Sequence, residues 1–65
     1  MDEKTRLAAF EAMLSEVRER HEKTLRQMEA LRAEGRTKTA TYRQLMGNKL
    51  NDQTLLSLYE RYGLL

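Results

Sequence analysis

His21 is the only imidazole in the chain, so it is the first residue to test for chemistry. A helix that holds a metal ion needs a second ligand three or four positions away, and the bundle di-metal signature places Glu three residues before His. Position 18 is Arg, and positions 17, 24 and 25 carry Val, Thr and Leu. Ser15 and Ser57 are the candidate nucleophiles, but neither has a base at a recognisable spacing. Glu16, Glu19 and Glu22 each stand four residues before a base (Arg20, Lys23, Arg26), the spacing of surface ion pairs rather than of acid/base machinery. Gly35 is solitary, and Thr37-Lys38-Thr39 after it lacks the spacing of a phosphate-binding loop. With no Cys, a disulfide framework and a thiolate zinc site are both excluded. The sequence therefore predicts no enzyme, no cofactor and no catalytic or metal-binding residue. It names no substrate and no reaction.

What the residues do specify is a helix with a partner. Leu7, Phe10, Leu14, Val17, His21, Thr24, Met28 and Leu31 are separated by steps of 3, 4, 3, 4, 3, 4 and 3, the heptad alternation that keeps one stripe of a long helix facing a neighbour, as in a coiled coil. Acids at positions 2 and 3 suit the start of that helix, and Gly35 suits the left-handed position just past its end. A helix over about 2–34 would be a rod of roughly 48 Å, longer than the remaining residues can cover. The eight seam residues are thus the expected oligomer interface. An antiparallel pair of copies sets Leu14 against Leu31, Val17 against Met28 and His21 against Thr24, so that the central polar groups meet each other. A parallel pair stacks His21 on His21. Met13, Met28 and Met46 read as core filler.

The second half is less regular. After the polar connector at 35–41, Thr41-Tyr42-Arg43-Gln44 has the form of a capping box. Tyr42, Leu45, Met46 and Leu50 share one helical face, and Leu55, Leu56, Leu58, Tyr59 and Tyr62 share another. The change of face coincides with Gly47-Asn48 and Asn51-Asp52, all poor residues for a helix interior. The expectation is a short helix at about 42–47 and a second at about 51–62, with one kinked helix as the alternative. Gly63 closes it, and Leu64-Leu65 fold back as an apolar tail.

Charge offers a competing function. Residues 1–34 sum to −1 and residues 35–65 to +3. Leu45-Met46-Gly47, Leu50-Asn51-Asp52-Gln53-Thr54-Leu55 and the closing Tyr62-Gly63-Leu64 together resemble a helix-turn-helix of the Fis type over about 20 residues. The resemblance implies DNA binding by residues 41–64, with Arg36, Lys38, Arg43 and Lys49 on the phosphates and Gln53, Thr54 and Ser57 near the bases. The sequence departs from that pattern in a longer turn, in an apolar recognition helix, and in Asp52 and Glu60, which repel phosphate.

Sixty-five residues allow one domain with a thin core. No apolar run approaches the roughly 18 residues of a membrane helix, and Asp2, Glu3, Lys4 and Arg6 do not open a signal peptide. The absence of Cys fits a reducing compartment. The sequence reading is thus a cytoplasmic all-α protein: a long N-terminal helix with a broken C-terminal helical arm folded back on it. Two copies are expected to pair, antiparallel, into a bundle that serves as an interaction or assembly module. The alternative partners are another helical protein or nucleic acid, and no membrane.

Overall fold

In a computed structural model describing residues 2–65, the chain forms two α-helices, α1 (Glu3–Ala33) and α2 (Ala40–Arg61), folded into an antiparallel hairpin. Its extents are 49 × 19 × 16 Å. Asp2 caps α1, its carboxylate accepting from the Thr5 N–H at 2.7 Å. That N–H is one of the four donors a helix start leaves without an internal partner.

Both helices end in the same way. Gly35 and Gly63 each take φ of +72°, a conformation that costs an L side chain free energy but not glycine. After α1, the Arg36 N–H donates to the Leu31 carbonyl at 2.8 Å and the Gly35 N–H to Arg32 at 3.0 Å. After α2, the Leu64 N–H donates to Tyr59 at 2.8 Å and the Gly63 N–H to Glu60 at 3.0 Å. This paired pattern is the Schellman motif, which also brings the residue after the glycine back onto the last turn. Leu64 accordingly lies beside Tyr59 and Phe10, as the sequence expects of a folded-back tail.

The start of α2 differs from the expectation. Thr39, not Thr41, is the N-cap: its hydroxyl accepts from the Tyr42 N–H at 3.1 Å and donates to the Arg36 carbonyl at 3.0 Å. Thr39 can close the loop and cap the helix with one oxygen, which Thr41 is too far inside to do, and no capping box with Gln44 forms.

The expected break in the second arm is absent as well. In place of separate helices at 42–47 and 51–62, α2 runs unbroken through Gly47, Asn48, Asn51 and Asp52. The cause is a second heptad stripe with polar members. Tyr42, Leu45, Lys49, Asp52, Leu56 and Tyr59 step by 3, 4, 3, 4 and 3, and all six are buried or half-buried. Lys49 and Asp52 join the two apolar faces into one stripe, and that continuous contact with α1 outweighs the modest helix penalties of Gly and Asn.

The two stripes face each other. Val17, Thr24 and Met28 of α1 and Asp52 and Tyr59 of α2 are buried, while Phe10, Leu14, His21 and Leu31 are half-buried. Phe10 meets Tyr59 edge-to-face, with ring centroids 5.2 Å apart. The heptad seam expected to join two copies is therefore the interior of the hairpin along most of its length. The physical reason is the unbroken α2, whose 22 residues reach about 33 Å back along α1. Only the start of α1 outruns it, and Leu7 stays 57% exposed.

Candidate functional site

The hairpin carries two distinctive regions. The first is a polar layer at mid-height. Arg20 Nη2 donates to Asp52 Oδ1 at 2.9 Å; the Asp52 side chain is 2% exposed and that of Arg20 58%. Arg20 reaches across to the other helix while its side chain as a whole stays largely exposed. Asp52 Oδ2 and His21 Nδ1 are both buried without a hydrogen-bond partner, each at a cost of about 1–3 kcal/mol. With Phe10 opposite Tyr59 and Arg20 opposite Asp52, the antiparallel register puts His21 at the level of Lys49 and Asp52.

This layer was not legible as a site in the sequence. Local spacing pairs Arg20 with Glu16, four residues before it. Among the described residues none of the three expected i,i+4 pairs closes; the ion pairs are Arg20–Asp52, Arg32–Glu29 and Arg36–Glu34. Among the described residues no group of three or more His, Asp or Glu side chains gathers, and Ser15 and Ser57 sit exposed on different helices.

The second region is the open end, where the chain's beginning and end lie together. Phe10, Leu55, Leu58, Tyr59, Tyr62 and Leu64 line a shallow apolar hollow of about 250 Å³. Next to it, Leu7, Phe10 and Leu64 form another of about 280 Å³, rimmed by Glu3 and Arg6. Phe10 and Leu64 belong to both, so the two hollows are one continuous surface. Tyr62 stands 72% exposed, Leu7 57%, Leu64 48% and Leu58 44%. Of these, only Leu7 was among the expected interface residues. The signal for the rest was available in Tyr62-Gly63-Leu64: a glycine C-cap folds the leucine after it back onto the last turn, next to an aromatic residue.

The candidate nucleic-acid contacts are divided between the loop and α2. Arg36 and Lys38 lie in the loop, where Arg36 faces Glu34 at 3.4 Å. Arg43 and Gln53 are exposed on α2, whereas Lys49 is half-buried on the stripe against α1. Arg43 and Lys49, six positions apart, point to different sides of the helix. Since α2 contains no turn between Gly47 and Asn51, the two-helix geometry of a helix-turn-helix is not present in residues 41–64. Thr54 returns its hydroxyl to the Leu50 carbonyl at 3.0 Å.

Among the described residues no helix is long and apolar enough to cross a membrane. The chain exposes 5461 Å², against about 4300 Å² for a compact folded monomer of its mass. No family model matches the chain, and no curated protein or solved structure shows significant similarity to it.

Proposed function

We propose that this chain is a small assembly protein, a helical hairpin that acts by associating with further copies of itself. The observation that carries the reading is its exposed surface, about 1100 Å² more than a compact monomer of 7.7 kDa presents. Among the described residues eight large hydrophobic side chains are exposed to solvent, while the buried apolar ones are Val17, Met28 and Tyr59. A core that small supplies little stability at this length, and oligomerisation is a common remedy in chains of this size. Along most of its length the heptad seam packs against α2 of the same chain; its first residues, Leu7 and Phe10, and the outer faces of the hairpin are what is left for this association.

The test is solution mass. Sedimentation equilibrium of the full chain at micromolar concentration should give at least twice 7.7 kDa, with helicity that falls on dilution. A stable, fully helical monomer at that concentration rejects the reading.

A further inference from the structure

We propose that the open end of the hairpin is the contact surface, and that its occupant is the same end of a second copy related by a two-fold axis. The inference rests on the self-association reading above and specifies its place and geometry. Four of the eight large hydrophobic side chains exposed among the described residues, Leu7, Leu58, Tyr62 and Leu64, surround two adjoining hollows there that share Phe10 and Leu64. At mid-height the corresponding hollow is polar, lined by Arg20, Asn48, Asn51 and Asp52.

Three features select a second copy as the occupant. One is area: the surplus of about 1100 Å² slightly exceeds the roughly 800 Å² that one partner contributes to a standard-size interface, so a single neighbour of similar size suffices. Another is shape. A two-fold contact brings each surface against itself, so it must carry both a projection and a recess. Tyr62, on the wall of the first hollow and 72% exposed, is the side chain available to enter a partner, and the recess formed by Leu7, Phe10 and Leu64 adjoins it. The last is charge. Glu3 and Arg6, which line the second hollow, are one acid and one base. Such a rim meets its own image without net repulsion, and offers no special attraction to a polyanion.

The experiment compares the solution mass of wild type with that of Leu58→Glu, Tyr62→Glu and, as a control, Leu50→Glu, each checked for helicity by circular dichroism. Leu50 is 55% exposed and lines neither hollow of the open end. Because Tyr62 and Leu58 are surface residues in the hairpin, their replacement should preserve the helices. The expected result is a dimeric wild type and a dimeric Leu50→Glu, with dissociation constants for Leu58→Glu and Tyr62→Glu raised about 30-fold or more, as for central anchor residues. If wild type is dimeric and both open-end variants dimerise as tightly, the location is wrong while self-association stands. If Leu50→Glu alone becomes monomeric, the contact lies on the outer face of α2 and the proposal is overturned. If wild type is monomeric, both proposals fall.

Discussion

Arg20 and Asp52, 32 residues apart in sequence, are joined by a 2.9 Å charge-assisted hydrogen bond across the middle of the hairpin. The bond fixes how far α2 slides along α1. A shift of one helical turn would move a 2% exposed carboxylate away from its cation and leave it buried and unpaired. With hydrophobic residues above and below able to repack in several registers, one polar contact of this kind makes a single register preferable.

Removing the cation should therefore do more harm than removing the whole pair. Arg20→Ala leaves the Asp52 carboxylate buried with neither oxygen bonded, which should destabilise the hairpin by about 1–3 kcal/mol. The half-exposed guanidinium keeps the loss below that of a fully buried pair. Asp52→Leu fills the same place with apolar volume and should be neutral or stabilising by about 1 kcal/mol, at some loss of register specificity. Urea unfolding followed by circular dichroism ranks the two. A less stable Asp52→Leu would show that the ion pair is a net source of stability.

The N-cap of α2 provides a second contrast. Thr39→Ala removes the oxygen that accepts from Tyr42 and holds the Arg36 carbonyl, and should cost about 1 kcal/mol. Thr41→Ala removes no hydrogen bond that the structure contains and should be close to neutral. Thermal melts of the two variants side by side decide between them: equal losses would restore Thr41 to a capping role.

Asp2 yields a pH dependence. The Thr5 N–H holds its carboxyl below the ordinary Asp value. A depressed carboxylate stabilises the fold at pH above its unfolded value, and the contribution disappears as pH falls through the folded one. Relative to its intrinsic exchange rate at the same pH, the amide of Thr5 should accordingly exchange faster with solvent in that acidic window. In Asp2→Asn, where the cap oxygen carries no proton to titrate, this acceleration should be missing. Hydrogen exchange by NMR across the acidic range makes the comparison, and identical profiles would mean that the cap is not formed in solution.

The first helix was legible almost to the residue because its stripe is apolar at six of eight positions, with Asp2 and Gly35 marking its ends. The second helix has the same 3-4 spacing, but two of its six stripe positions are Lys49 and Asp52. Read by hydrophobicity alone, the stripe vanishes in the middle and two faces appear where there is one. Asp52 becomes interior only because Arg20, far away in sequence, is there to meet it, and local pattern does not carry that information. The same omission bears on the seam: the expectation has the return arm too short to cover α1, whereas the 22-residue α2 lies along most of the seam and leaves Leu7 exposed. Tyr62, Leu58 and Leu64 were each visible as apolar residues. Their common surface depends on where α2 stops relative to Phe10, which the hairpin register sets.

Glycine substitutions test the unbroken helix most directly. At Gly47 the backbone is helical, and an added Cβ would meet nothing within 4 Å. Gly47→Ala should therefore stabilise the hairpin by about 0.5–1 kcal/mol, since alanine loses less backbone entropy on entering a helix. Gly35 has equal space, but its φ is +72°. There Gly35→Ala forces an L residue into the left-handed region and should destabilise by about 1 kcal/mol or more. The two changes are chemically identical and equally uncrowded, so their opposite signs isolate backbone conformation as the cause. Were α2 interrupted at Gly47 in solution, alanine would bring no gain there, and a neutral or destabilising Gly47→Ala in chemical denaturation would refute the continuous helix.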